Sequence, residues 1–377
     1  MDRKKALIVV AEDWSFLSHR VPLARALKQD GYDVTIACRV QQKDNEIKKQ
    51  GFNLIPLDLA RESISPASAL QTIKMLNALY RQEKPDVIVH SSLFLSLLGS
   101  IAGLLSGFKK NVNLITGLGF VFISQSLKTK IIRIAVKLTF RLFAYVKSIT
   151  VVVQNKDDRQ LFEHLGFIEG QNLHVIVGSG VDAQAFSPAA QEPVTQQVTF
   201  VGRILWAKGV AELVEAARLL KQRNQLPKIV LVGDPDPGNP QSASQADMDQ
   251  WTEEGLVECW GRRNDIADIY RSSTIAILPS WREGLPKSLL EAAACGLPMI
   301  TTDVPGCREI VTNGENGLLV PLKSPEGLAN AIEILINAPE MRQKFGRNAR
   351  KLVEDELNDI TIAAKTCAVV KQVCEFK

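Results

Sequence analysis

A chain of 377 residues is long for one hydrophobic core and points to two domains. With 46% hydrophobic and 23% charged residues it can build sizeable cores and is not disordered, and a net charge of only +4 shows no nucleic-acid-like basic excess. Cys38, Cys259, Cys295, Cys307, Cys367 and Cys374 form no C-x-x-C pair, and the opening M-D-R-K-K-A-L-I-V-V-A has no signal-peptide cleavage pattern, so reduced thiols in the cytosol are expected.

Taken in order, residues 6–11 read as a short apolar strand, followed by a loop with Glu12 and Asp13 and a helix over about 18–30 closed by Gly31. Strands at 33–38, 54–57, 87–90 and 112–116 alternate with helices at about 66–83 and 93–106, the pattern of a parallel, doubly wound sheet. The uncharged run 92–108 is shorter than the roughly 20 residues of a membrane span and reads as a buried helix. No G-x-G-x-x-G follows the first strand, which argues against a dinucleotide cofactor.

Ligands of such sheets bind outside the carboxyl ends of the strands. That rule nominates residues 13–20 with His19 and Arg20, then His90 with Ser91 and Ser92, the T-G-L-G turn with Thr116, Gly117 and Gly119, and Gln154 with Asn155. His90 reads equally as a histidine bonded within the protein, His19 and Arg20 as cap and solvation of the first helix, and the glycines as suppliers of positive φ. Over residues 128–147, Lys130, Arg133, Lys137, Arg141 and Lys147 fall within roughly a third of a helical wheel, with Ile131, Ile132, Ile134, Leu138, Leu142, Phe143 and Val146 filling the rest. Such a helix suits an anionic membrane surface, or a core with a solvated basic face.

Strands at 149–153 and 173–177 flank a helix at about 156–165, and the polar stretch 189–197 with Pro193 reads as a linker. The expected divisions are therefore 1–188, 189–358 and a terminal helix within 359–377. A strand at 198–201 runs into G-R-I-L-W-A-K-G, where Arg203 and Lys208 are placed to grip two phosphates, surface solvation being the plain reading of either alone. Further strands at 228–232, 257–260, 275–278 and 298–301 follow, with a long Gly- and Pro-rich loop after 232 and helices at 266–271, about 324–338 and about 339–356. The stretch 280–297, S-W-R-E-G-L-P-K-S-L-L-E-A-A-A-C-G-L, is the most informative. Pro286 suits a first helical position, and the amides around Lys287 and Ser288 make a donor-rich helix start that favours anions. Glu283 precedes that start and Glu291 lies about a turn and a half beyond it, so two carboxylates flank the donors. Carboxylates accept from paired sugar hydroxyls and the donors suit a diphosphate, as a nucleotide sugar requires. The four histidines are scattered and no metal cluster appears, so no metal is expected.

This stretch, with T-D-V-P-G-C-R-E-I-V and N-G-E-N-G-L-L-V-P behind it and the Arg203–Lys208 loop before it, resembles the family 4 glycosyltransferases of the GT-B fold. F-L-S-H-R and I-T-G-L-G-F look like a bacterial subgroup acting on lipid-linked oligosaccharides. The resemblance implies two doubly wound Rossmann-like α/β domains facing across a cleft, with the C-terminal helix crossing back to the first. It assigns Glu283 to the transferred sugar, Glu291 to the ribose, and Arg203 and Lys208 to the diphosphate. Gly202, Gly284, Leu285, Lys287, Ser288 and Arg262 then bind the donor, with Gly117, Gly119 and Asn155 from the first domain. His19, Arg20, His90 and Thr116 face the acceptor, and Lys130, Arg133, Lys137 and Arg141 the membrane. Two features depart from the family: the common Gly-Gly loop after the first strand and a histidine near the T-G-L-G turn are both missing.

The expected activity is retaining transfer of a hexose or N-acetylhexosamine, UDP-linked by family weight, to a lipid-linked acceptor, without metal or cofactor. The expected partners are the nucleotide sugar, the lipid-linked acceptor and the anionic inner face of the plasma membrane, to which a cytoplasmic enzyme attaches peripherally; no nucleic acid is expected. Two alternatives stand beside it: a nucleotide-sugar epimerase of the same fold, and a membrane-associated scaffold that keeps a nucleotide pocket without catalysis.

Overall fold

Hydrophobic runs buried on both faces build two parallel sheets in a computed structural model that describes residues 3–59, 65–117, 127–143, 145–146, 148–168, 170–191, 193 and 195–375. The first is formed from β1 (Lys5–Glu12), α1 (Asp13–His19), α2 (Val21–Gln29), β2 (Asp33–Arg39), α3 (Asp44–Lys49), β3 (Asn53–Pro56), α4 (Pro66–Glu83) and β4 (Val87–Ser91). It continues through α5 (Leu93–Ser106), β5 (Asn111–Ile115), α6 (Leu127–Phe143), β6 (Ile149–Val153), α7 (Lys156–His164) and β7 (Leu173–Val175). The strand order is β3-β2-β1-β4-β5-β6-β7, so the direction of winding reverses between β1 and β4. Strands β4, β5 and β6 are buried at every position, as crossover helices on both faces demand.

The single helix expected over 18–30 is two helices joined at Arg20. Pro22 has no N–H for the Ser18 carbonyl and its ring crowds that turn, so α1 stops at His19 and α2 restarts with proline in its first turn. The six-residue α3 was not expected, being too short to show a helical period.

The second sheet repeats the plan with β8 (Gln197–Val201), α8 (Val210–Gln222), β9 (Lys228–Val232), α9 (Gln245–Glu253), β10 (Glu258–Gly261), α10 (Ile266–Arg271) and β11 (Ile275–Leu278). Then come α11 (Lys287–Ala294), β12 (Met299–Thr302), β13 (Gly317–Val320), α12 (Pro325–Asn337), α13 (Pro339–Leu352) and α14 (Asp359–Glu375). Its order is β10-β9-β8-β11-β12-β13, with the reversal between β8 and β11.

The chain divides into one unit of Met1–Ser179 with Ile360–Lys377 and another of Gly180–Asp359, so the boundary precedes the expected residue 188. The reason is bonding: Arg350 Nη1 donates to the carbonyls of Ala183 and Phe186, and Arg271 to those of Ala185 and Ser187, which ties 183–187 to the second unit. In α14, Lys371 pairs with Asp30 at 2.7 Å, and Lys110 Nζ donates to the Cys374 carbonyl at 2.7 Å, contacts within the first unit. Among the described residues no helix is long and apolar enough to cross a membrane.

Candidate active site

In the second unit the chain leaves β8 through Gly202 and Arg203 and turns back at Trp206–Lys208. Gly209 ends that turn at φ +77°, and a Cβ there would lie 2.0 Å from the Pro279 carbonyl oxygen, so only glycine lets the turn press against the end of β11. The Trp281 N–H and the Ser280 hydroxyl both donate to the Ala207 carbonyl, at 2.9 and 3.1 Å, fastening the two strand exits together. This brings Lys208 Nζ to 2.5 Å from Glu283 Oε1, with the Glu283 side chain only 11% exposed. The loop after β12 backs the same peptide: a Cβ on Gly306 would meet the carbonyl oxygens of Gly284 and Glu283 at 2.5 and 2.7 Å. Trp281 Nε1 donates to Glu212 Oε1 at 3.0 Å while Lys323 Nζ sits 4.1 Å from its ring centroid, a brace that sequence reasoning missed.

Helix α11 begins at Lys287, and Pro286 is its cap rather than its first helical residue. No side chain caps it; the Leu289 and Leu290 amides bond the Pro286 carbonyl, leaving the positive helix end at Lys287 and Ser288 facing the loop that carries Gly284 and Leu285. The Tyr270 hydroxyl anchors the turn by donating to the Ser288 carbonyl at 2.9 Å. Glu291 lies 3.7 Å from Lys287 Nζ. Burial pushes the Glu291 carboxyl up to about 7, against the opposing pull of Lys287. Two cation–carboxylate pairs thus bracket one loop. Arg203 is not part of this grouping: it is largely exposed and pairs with Asp236 at 3.0 Å. Arg262 is exposed as well, its backbone amide donating to Asp234 Oδ1 at 2.9 Å.

The first unit corrects two assignments. His90 is fully buried, Nε2 hydrogen-bonded with the Tyr80 hydroxyl at 2.8 Å and Nδ1 with Asn113 Oδ1 at 2.9 Å, so it is a core histidine and not an acceptor contact. Burial pushes its pKa down to about 4, opposed by the Asn113 bond, which keeps the ring neutral. Asn155 is also fully buried and caps α7, its Oδ1 accepting the Asp158 amide at 2.7 Å and its Nδ2 donating to the Asp158 carboxylate. That explains its type without a donor sugar. Asp13 is spent on the amides of Gln41, Gln42 and Lys43. His19 Nδ1 lies 3.3 Å from Ser179 Oγ, and Arg20 is buried with Nε donating to Ser91 Oγ at 2.9 Å. Thr116 is exposed, Gly117 has φ +144°, and Gly119 lies outside the described residues.

On α6, Val136, Phe140 and Phe143 pack into a core with Phe162 and Phe167. Arg141 is exposed, its Nε donating to the Leu165 carbonyl, while Arg133 and Lys137 are half-buried. Lys147 and the side chain of Lys130 lie outside the described residues. Contrary to a wholly inward apolar face, Ile134, Leu138, Leu142 and Tyr145 are 57–87% exposed. Among the described residues no three His, Cys, Asp or Glu side chains gather as a metal site.

Two family descriptions match the chain: glycosyl transferases group 1 over residues 183–352, and glycosyl transferase 4-like over residues 5–150. The chain is 27% identical over 356 residues to the N,N'-diacetylbacillosaminyl-diphospho-undecaprenol alpha-1,3-N-acetylgalactosaminyltransferase of Campylobacter jejuni, covering 89% of this chain and 92% of that one. It is 25% identical to the UDP-Gal:alpha-D-GlcNAc-diphosphoundecaprenol alpha-1,3-galactosyltransferase of Escherichia coli, over 88% of this chain and 87% of that one. Its fold matches that of sucrose-phosphate synthase from Thermosynechococcus elongatus with a TM-score of 0.81 at 20% identity, over 98% of this chain and 99% of that one.

Proposed function

The chain belongs to the glycosyltransferases, and from that premise we propose that it moves a hexose or N-acetylhexosamine from a UDP-linked donor to a saccharide carried on a lipid diphosphate. The observation that carries the donor side is the Lys208–Glu283 pair at the strand reversal of the second unit, inside the group 1 match. Relatives named for acceptors on diphospho-undecaprenol support the acceptor side.

In this reading the bond between the sugar's anomeric carbon and the β-phosphate oxygen breaks while an acceptor hydroxyl attacks from the same face. The acceptor proton passes to the leaving phosphate, and the anomeric configuration is retained. Negative charge grows on the departing diphosphate. Lys208, the start of α11 and Arg203, once drawn from Asp236, stabilise it. Glu283 holds the sugar hydroxyls and shields positive charge on the ring; Glu291 accepts from the ribose. No step calls for a metal or cofactor. The test is initial-rate transfer from a panel of nucleotide sugars to a synthetic diphosphate-linked saccharide. Turnover with one UDP sugar and an α-linked product is expected; conversion of donor alone into its epimer would overturn the reading.

The membrane part of the reading rests on α6. Its exposed apolar residues Ile134, Leu138 and Leu142 accompany Arg133, Lys137 and Arg141, the combination that binds an anionic bilayer surface. We expect affinity for anionic liposomes, read by sedimentation, to fall by more than about tenfold when Leu138 and Leu142 become serine, since each buried methylene contributes about 0.8 kcal/mol and the two changes remove several. Unchanged sedimentation would remove α6 from the docking surface.

A further inference from the structure

Trp281 sits on the loop after β11, two residues before Glu283, and both of its N–H groups reach across to the segment that carries Lys208. Its backbone amide donates to the Ala207 carbonyl at 2.9 Å, and its indole Nε1 to Glu212 Oε1 at 3.0 Å. One bond falls just before Lys208 and the other just after it, in the first turn of α8. With Lys208 Nζ 2.5 Å from Glu283, the amide bond closes a small ring: along the chain from Ala207 to Lys208, across to Glu283, back through Arg282 to Trp281, and across again to Ala207. The indole bond is a second tether on that ring. Releasing it frees the Trp281 backbone to turn and the spacing of Lys208 and Glu283 to change.

The partners of the indole are kept against local preference. Glu212 Oε2 is buried with no hydrogen-bond partner among the described residues, so half of this carboxylate stays unsatisfied while the other half meets Trp281. The positive start of α8 offsets part of that penalty. Over the ring, Lys323 Nζ lies 4.1 Å from the centroid, and Lys323 takes φ +55°, left-handed backbone that a lysine rarely adopts. Lys323 follows β13 and Glu212 lies on α8, so two elements outside the loop converge on one side chain. Packing alone calls for apolar surface there, and neither for a half-satisfied carboxylate nor for a strained lysine. Catalysis does call for a fixed frame, since a misplacement of about 1 Å costs about a hundredfold in rate.

We propose that Trp281 is a positioning residue for sugar transfer: held by Glu212 and Lys323, it sets the spacing of Lys208 and Glu283. Donor binding is shared with Arg203 and the start of α11, so the loss on releasing Trp281 falls on kcat. This deepens the function proposed above and rests on it.

Full-length variants are compared by initial-rate transfer at varied donor and saturating acceptor. Trp281→Phe keeps a ring beneath Lys323 and loses the indole N–H; kcat is expected to fall by about tenfold or more, with donor KM within about twofold of wild type. Glu212→Met is expected to do the same, and Glu212→Gln, which keeps an acceptor oxygen, to recover most of the loss. In the Lys208→Ala/Glu283→Ala background, where no pair is left to position, Trp281→Phe is expected to change kcat by less than about twofold. A loss of about tenfold in that background overturns the assignment, as does a Trp281→Phe enzyme whose urea midpoint falls while kcat per folded molecule holds. Should the wild type transfer no sugar from any donor, the proposed function fails, and crystal structures still decide the role of Trp281. Trp281→Phe is expected to part Lys208 Nζ from the Glu283 carboxylate by more than about 4 Å, and an ion pair as close as in the wild type overturns the proposal.

Discussion

The two sheets reverse at the same place, β1 beside β4 and β8 beside β11, but they dispose of charge there in opposite ways. In the second unit the cations are paired: Lys208 with Glu283, Lys287 with Glu291, Arg203 with Asp236. In the first unit His90 is neutral and enclosed, Asp13 is bonded to backbone, and Arg20 stands without a carboxylate. A paired set can be exchanged. In the proposed reaction a diphosphate would draw the lysines and arginine from carboxylate to phosphate and free the carboxylates for sugar hydroxyls. The uncompensated cation exchanges nothing and can only add an anion. Chemistry that develops charge is served by the first arrangement.

The hardest test of that contrast removes one half of an exchangeable pair. Lys208→Ala and Glu283→Ala are each expected to lower kcat by about 10²–10³, because each takes away a group that acts on the developing transition state. Since the two are bonded at 2.5 Å, the double variant should lose far less than the product of the single losses. Initial rates at saturating donor give all three values. Single variants within threefold of wild type would show that the pair is merely structural.

A smaller effect comes from Glu291, whose carboxyl titrates near neutrality. If the ribose requires the ionised form, donor KM should fall about tenfold from pH 6 to pH 8, and Glu291→Gln should flatten that dependence. Stability moves the other way. With the folded carboxyl raised from 4.5 to about 7, the native state keeps its proton longer than the unfolded chain does. The contribution of this group is therefore fully present below pH 4.5, declines as pH rises through the window, and is gone above 7, a span on the order of 3 kcal/mol. Urea midpoints at pH 5 and pH 8 should draw together in Glu291→Gln. A wild type whose donor KM is flat between pH 6 and 8 would place Glu291 outside the ribose contact.

Most of the scaffold was legible because buried parallel strands write themselves as apolar runs: α4, α5, β6 and β11 begin and end where the residues place them. The gathering of Lys208, Glu283, Lys287 and Glu291 about one loop was legible because glycine, proline and charge coincide at 280–291. What misled was position without partners. His90 and Asn155 stand at strand ends, where ligands bind, but their bonds run to Tyr80, Asn113 and Asp158. For Asn155 a signal was present, since N-x-x-D before a helix is a capping pattern. For His90 there was none, because Tyr80 and Asn113 lie on a different helix and strand and no local spacing announces them. The domain boundary was misplaced for the same reason: composition marks 189–197 as a linker, whereas Arg350 and Arg271, far along the chain, decide where 183–187 belong.

The smallest expected effect separates a core histidine from a functional one. A Cβ on Gly99 of α5 would fall 2.2 Å from His90 Nε2, so Gly99→Ala must push the ring away from Tyr80 or lift the helix from the sheet. Overpacking of this kind costs about 1–3 kcal/mol. A lower urea midpoint is expected, with kcat and both KM values per folded molecule unchanged, because the ring touches nothing that turns over. Gly99→Ala that kept its stability and raised the acceptor KM would return His90 to the acceptor side.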